Sequence, residues 1–130
     1  MPESSSIKFT IAFNDPNLDL QELDRQAQRM IRELQEMDEV EVSRVPDLHI
    51  PEGSKSLSGF LMGLLAAEVN VANAQKLMTF LGDRLGGKPI ELSVEGNGKK
   101  LTVKVHSREE LEAAIKAAQE FLAPLAEQNG

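Results

Sequence analysis

The sequence contains no cysteine, no tryptophan and no tyrosine, and only five phenylalanines. Without cysteine, the chain cannot form disulfides, thiolate nucleophiles or cysteine-ligated zinc sites. Without tryptophan and tyrosine, it also lacks the aromatic surfaces on which sugars and nucleic-acid bases commonly stack. Thiol chemistry and the usual stacking pockets are therefore removed from the functions to consider.

Basic residues are also in deficit. The chain carries 14 Lys and Arg against 21 Asp and Glu, a formal net charge of −7. The cations lie scattered among acidic neighbours, whereas binding of nucleic acid draws on clustered cations that neutralise phosphates. We therefore expect no nucleic-acid partner.

A long apolar run is missing as well. The longest nearly charge-free stretch, residues 56–67, is shorter than the ~20 residues that a membrane-spanning helix needs. The first residues, MPESSSIKFT, show no basic region followed by an apolar one, so we expect no signal peptide, no membrane association and a cytoplasmic protein. We interpret residues 56–67 as a buried helix, in which Gly59 and Gly63 permit a close neighbour.

The length of 130 residues suits one compact domain. Residues 1–6 and 126–130 are polar, and we expect them to form flexible tails. Residues 7–125 contain no internal repeat and no linker, so they are predicted to form a single domain.

The first half of the chain alternates between two hydrophobic periods. Residues 7–13 alternate apolar and polar side chains, which predicts a half-buried strand. Apolar residues then recur three and four apart from residue 20 to residue 37, as in an amphipathic helix, and Asp19 with Glu22 has the spacing of a capping box at its start. A second strand is expected in residues 40–45.

The second half contains the strongest local signal. After a predicted helix over residues 74–85, which Gly86 and Gly87 should end, Asn97-Gly98 supplies the pair favoured in a two-residue type I′ hairpin turn. That turn aligns the flanking strands so that apolar residues face each other on one side and Glu faces Lys on the other. The predicted pairs are Val94 with Leu101, Leu92 with Val103, Ile90 with Val105, Glu95 with Lys100, and Glu91 with Lys104.

The last predicted element is a helix that begins after Ser107. Ser107 and Glu110 repeat the capping-box spacing, and Pro124 should end or fray the helix. The predicted order is therefore β-α-β-α-α-β-β-α. We expect an α+β fold in which a mainly antiparallel, four-stranded sheet carries helices on one face and leaves the other face polar.

The motifs of common enzymes are missing from this order. The segment PEGSKS has Lys55-Ser56, but no glycines stand where a Walker A loop needs them. Asp47 and His49 offer two metal ligands, fewer than the three or four of a zinc site. His106 is expected to pack or to lie at the surface as an ordinary residue at a strand end. With no nucleophile elbow either, we expect no catalytic residue, no cofactor and no metal.

Four stretches together resemble a known family. They are LQELDRQAQRMIRELQEMDEVEV, the loop PEGSKS, the segment LMTFLGDRLGGKPIELSVEGNGKKLTV and SREELEAAIKAAQEFL. Their order and spacing, over about residues 7–123, are similar to the effector-associated constant component proteins of bacteria. These are small non-enzymatic partners of peptidases and NTPase modules in predicted conflict systems that act against invaders.

The family pattern can be followed residue by residue. Its Pro-x-Gly-x-Lys loop matches Pro51, Gly53 and Lys55, a turn glycine matches Gly96 or Gly98, and its Ser-Arg-Glu-Glu helix start matches residues 107–110. Where many members carry Trp-Leu before the hairpin, this chain has Phe80-Leu81. The departure leaves the fold expectation intact but removes any inference about a surface tryptophan.

The resemblance implies an adaptor that couples a sensor or NTPase to an effector such as a trypsin-like or caspase-like peptidase. The candidate partner contact is the loop with Pro51, Gly53, Ser54, Lys55 and Ser56, where Lys55 is the charged tip. The residues are also compatible with a homo-oligomer. The alternative is a small-ligand-binding regulatory α+β domain, because sheets with helices on one face also bind metabolites.

Overall fold

The computed structural model describes residues 6–46 and 61–129, with the side chains described as far as residue 123. Three helices and five strands follow one another as β-α-β-β-α-β-β-α. They are β1 (Ser6–Phe13), α1 (Leu20–Leu34), β2 (Glu41–Ser43), β3 (Leu64–Asn70), α2 (Val71–Leu85), β4 (Ile90–Gly96), β5 (Lys99–Val105) and α3 (Arg108–Asn129).

The strands form one antiparallel sheet in the order β2-β3-β1-β4-β5. Strand β1 lies at its centre and pairs with both β3 and β4. In the sheet, β3 lies between β1 and β2, which α1 connects, and β1 lies between β3 and β4, which α2 connects. The first six elements therefore form two interleaved split β-α-β units. Strand β5 and helix α3 extend this arrangement at the β4 end.

All three helices cover one face of the sheet. The inward side chains of β1, at residues 7, 9, 11 and 13, are at most 3% exposed, and they belong to one apolar cluster with residues from every helix. Strand alternation places Lys8, Thr10 and Ala12 on the opposite face. The expected α+β class is therefore confirmed. The opposite face is called the uncovered face below, because none of the described helices lies on it.

The hairpin forms with the predicted register. Strands β4 and β5 pair Val94 with Leu101 and Glu95 with Lys100, and the remaining pairs also match. Asn97 and Gly98 both have positive φ, at 54° and 78°, as a type I′ turn requires. The turn and the two faces of the hairpin thus agree on one alignment.

The local signals at the helix starts are also confirmed. At α1, the Asp19 side chain accepts a hydrogen bond from the Glu22 amide, and Glu22 accepts one from the Asp19 amide. Before α3, the Ser107 hydroxyl accepts a hydrogen bond from the Glu110 amide at 3.1 Å. Helix α2 ends at Leu85, just before the predicted glycine pair.

The predicted helix over residues 56–67 is wrong where the structure describes it. Residues 64–70 form β3, whose inward side chains Leu65, Ala67 and Val69 pair beside β1. A short apolar run fits a buried strand as well as a buried helix, and here β1 needs a partner on its second edge. The sheet therefore has five strands, and β3 passes directly into α2 at Asn70.

Two smaller expectations also change. Helix α1 ends at Leu34, three residues before the end of the apolar stripe. Helix α3 continues through Pro124 to Asn129, so of the two expected effects of Pro124, an end or a frayed helix, the first is wrong.

Gly63 and Gly87 allow the contribution of backbone strain to be separated from that of packing. Both have positive φ, at 80° and 86°. A Cβ added at Gly63 would lie 3.3 Å from the Leu23 Cβ, whereas a Cβ added at Gly87 would have no described atom within 4 Å. We expect Gly87→Ala to lower the free energy of unfolding by about 1 kcal/mol and Gly63→Ala by more, as measured by urea denaturation. Equal losses would contradict the packing argument.

Candidate functional site at the β2–β3 corner

Residues 45 and 61 bring the two described ends of the chain together beside β2 and β3. The Leu61 amide donates a hydrogen bond to the Val45 carbonyl at 2.8 Å. Two residues later, the Gly63 carbonyl accepts a hydrogen bond from the Phe13 amide at 2.9 Å, which ties the start of β3 to the end of β1. The residues on the two sides of the segment 47–60 are therefore held next to each other.

A buried carboxylate, that of Asp24, connects the elements at this corner. Asp24, on the inner side of α1, is 6% exposed and is the one buried charged side chain among the residues the structure describes. It accepts hydrogen bonds from the Gly63 amide at 2.9 Å, from the Gln28 amide group at 2.8 Å and from the Arg44 guanidinium. One side chain thus joins α1, the end of β2 and the turn before β3.

The surroundings of Asp24 keep it ionised. Burial raises the pKa of this carboxyl, but the hydrogen bonds from Gly63, Gln28 and Arg44, with the charge of Arg44, together lower the pKa below its ordinary value near 3.8. A carboxylate with three donors is satisfied by the fold itself. Asp24 therefore has a structural role, because a general base needs a free lone pair that faces the substrate.

The uncovered face of the sheet begins at the same corner. A groove of about 280 Å³ lies there, between β2, β3 and β1. Its polar lining comes from Lys8, Glu41, Ser43, Arg44 and Glu68, and Pro46 also lines it. The groove therefore lies beside residue 46, which precedes the segment 47–60.

Strand pairing arranges the uncovered face in rows that cross all five strands. The central row consists of small side chains, and a parallel row beside it is charged. The small row is Ser43, Ala66, Thr10, Ser93 and Thr102, and the charged row is Glu41, Glu68, Lys8, Glu95 and Lys100. The charge is thus acidic at the β2–β3 end and basic at the β5 end.

The other described titratable groups do not form a second site. Residues 6–46 and 61–129 hold no group of three or more His, Asp and Glu side chains that could bind a metal ion. His106 is exposed and lies 3.5 Å from Glu110, the helix-capping residue. The pKa of Glu39 is lowered by its own backbone amide and by Lys76, and this pair is also exposed.

The residues singled out from the sequence divide into two groups. Pro51, Gly53, Ser54, Lys55 and Ser56 lie outside the described residues, as do Asp47 and His49. Their predicted roles therefore stay predictions. His106 is described, and it lies on the surface at the end of β5, as expected.

Asp24 was missed in the sequence although a signal for it was present. It lies four residues after Leu20 and three before Ala27, so it stands on the apolar stripe of α1. A charged residue at such a position is buried only when partners satisfy it. That rule would have singled out Asp24, but Gly63 and Arg44 could not have been identified without the fold.

Comparison with known proteins returns no relative. No family model, no curated protein and no solved structure matches the chain. Among the described helices, none combines the length and the apolar character needed to cross a membrane.

The Asp24 cluster leads to a prediction of pH dependence. A carboxyl whose pKa is lowered on folding adds stability that is present above its unfolded pKa and is lost as the pH falls through its folded pKa. We expect Asp24→Asn to lower the free energy of unfolding at pH 7 by about 1–3 kcal/mol, because Arg44 loses its buried counter-ion. The measurement is urea denaturation from pH 7 to pH 2.5.

The difference between the two proteins should begin to shrink as the pH falls below about 3.8, the ordinary value of the carboxyl in the unfolded chain, and should be lost as the pH passes through the lower pKa of the folded protein. Asp83→Asn, at an exposed position of α2, is the matched control and should change stability little at any pH. A pH-independent loss in Asp24→Asn would contradict the ionised carboxylate.

Proposed function

We propose that the protein is a non-enzymatic adaptor that binds a partner protein at the β2–β3 corner, with the Pro51–Ser56 loop as the contact. The observation that carries the proposal is the Asp24 cluster, because Asp24 binds both Arg44 and Gly63, which lie on the two sides of the segment that contains this loop. Binding loops work best on a rigid base, because less freedom is lost when the partner binds.

The groove beside this base supports the same proposal. Lys8, Glu41 and Glu68 give it charges of both signs, and the central row of small side chains lets another backbone approach the sheet. A mixed charge pattern favours a partner of matching pattern and disfavours others. These are properties of a specific protein interface.

The chemistry of the corner favours binding over catalysis. Asp24 is occupied by three hydrogen-bond donors, and the described groove residues include no histidine. A nucleophile with an adjacent base, the arrangement that group-transfer enzymes need, is not recognisable among them. The non-enzymatic part of the proposal draws on this chemistry.

The identity of the partner follows from the sequence resemblance alone. If the chain belongs with the effector-associated constant components, the partner is a peptidase effector, an effector-associated domain or an NTPase of the same conflict system, in the cytoplasm. The adaptor would then couple sensing to the effector.

A small-ligand-binding regulatory domain is the second candidate, and the groove favours it. Its volume of about 280 Å³ is close to the lower end of the range typical of ligand pockets. A metabolite at ~100 times its dissociation constant would add about 2.7 kcal/mol to stability, which a thermal-shift panel would detect.

We expect Lys55→Glu to weaken capture of the partner from a lysate of the native host without unfolding the protein, because it reverses the charge at the tip of the contact loop. Ser43→Arg, on the exposed lining of the groove, should weaken capture of the same partner by blocking the groove. Capture is measured with the tagged protein and mass spectrometry, and folding by circular dichroism.

Lys116→Glu is the control, because it makes the same charge change on the exposed side of α3. The proposal requires one peptidase or NTPase that is recovered with wild type and with Lys116→Glu, and that is reduced with both corner variants. Equal recovery with all four proteins would remove the corner from the interface. A metabolite that stabilises wild type, with no protein recovered, would favour the second candidate.

A further inference from the structure

Strand β5 ends the sheet on the side opposite the β2–β3 corner. Its only strand partner in the described chain is β4, and the pairing is regular from Lys99 to Val105. Outside the β4 ladder, no backbone hydrogen bond involves β5 residues within residues 6–46 and 61–129. A seven-residue edge is long enough to receive another strand.

The two-residue turn determines which groups of β5 point outward. The residues that flank such a turn exchange both hydrogen bonds, and hydrogen-bonded pairs then alternate along the ladder. Lys99, Leu101 and Val103 therefore bond to β4. The amides and carbonyls of Lys100, Thr102 and Lys104 point away from β4, along the outer edge.

The side chains along this edge have a defined chemistry. Lys100, Thr102 and Lys104 are exposed on the uncovered face, while Leu101 and Val103 are half-buried on the helix-covered face. Lys100 and Lys104 make no ion pair within the described residues. Each of the two lysines lies opposite a glutamate of β4, so a row of positive charge follows the outer edge beside a row of negative charge on β4.

The lysines disfavour pairing with a second copy of the chain. An antiparallel pair of β5 strands centred on Thr102 would place Lys100 of each copy opposite Lys104 of the other. Like charges directly opposite each other destabilise a strand pair, and edge lysines are a common protection against self-association. The same charges favour a strand with carboxylates at the matching positions.

Strand β4 shows the pattern that fits. It presents Glu91, Ser93 and Glu95 to Lys104, Thr102 and Lys100, with apolar residues between them. We propose that the outer edge of β5 binds an extended strand of a partner protein with this alternation, in which acidic residues four positions apart enclose a small polar residue. Backbone hydrogen bonds supply affinity, and the lysines select the acidic sequence.

This site is separate from the β2–β3 corner, because β3, β1 and β4 lie between β2 and β5. Two partners could therefore be held at opposite ends of one sheet, as coupling requires. The inference does not depend on the proposed loop contact, and each has its own test.

The probe is the blocked peptide IELSVEG, the sequence of β4, compared with the charge-reversed peptide IKLSVKG. Amide shifts and amide hydrogen exchange of the ¹⁵N-labelled protein are measured during titration. IELSVEG should slow exchange at Lys100, Thr102 and Lys104, whose amides point away from β4, and IKLSVKG should not. No protection by IELSVEG, or equal binding of both peptides, would overturn the proposal.

Two variants distinguish strand pairing at the β5 edge from a general effect of charge. Lys104→Glu should weaken IELSVEG binding by about tenfold, while Lys116→Glu, the same charge change on α3, should leave it unchanged. Thr102→Pro removes an outward amide that β4 does not use, so the hairpin should persist and binding should be lost. Retained binding in Thr102→Pro, with unchanged β4 amide shifts, would contradict strand addition.

Discussion

The ion pair between Asp24 and Arg44 holds the part of the fold on which the functional account depends. A carboxylate at a core position is unfavourable unless donors surround it, and here the donors come from three different places in the sequence. Because the Gly63 amide is one of them, the turn that starts β3 is linked to α1. The end of β2 is held by the same group, so the uncovered face of the sheet has a defined corner.

The central strand β1 explains why the two ends of the sheet are separate surfaces. It pairs with β3 on one edge and β4 on the other, and its inward residues fill the core beneath all three helices. The helices cover only one face, so within residues 6–46 and 61–129 no helix lies on the opposite face and no strand pairs with the outer edge of β5. A corner of mixed charge and an edge lined by lysines therefore lie at opposite ends of one sheet, the separation that the proposed coupling of two partners requires.

Local chemistry determined how much of the fold could be predicted. The β4–β5 register could be predicted because Asn97-Gly98 specifies the turn and five facing pairs agree with it. Strand β3 was missed because its apolar run also suits a helix, and only pairing with distant β1 decides between the two. Asp24 stood visibly on an apolar stripe, but its partners Gly63 and Arg44 are brought to it by non-local contacts.

Amide hydrogen exchange of the protein, alone and in the complex recovered from its host, tests the central claim most directly. The account predicts that binding slows exchange at residues 41–46 and 61–68, which border the anchored corner, while exchange along α1 and α2 stays unchanged. Slower exchange confined to the helical side, with residues 41–46 and 61–68 unaffected, would contradict the account and place the partner surface on the other side of the molecule.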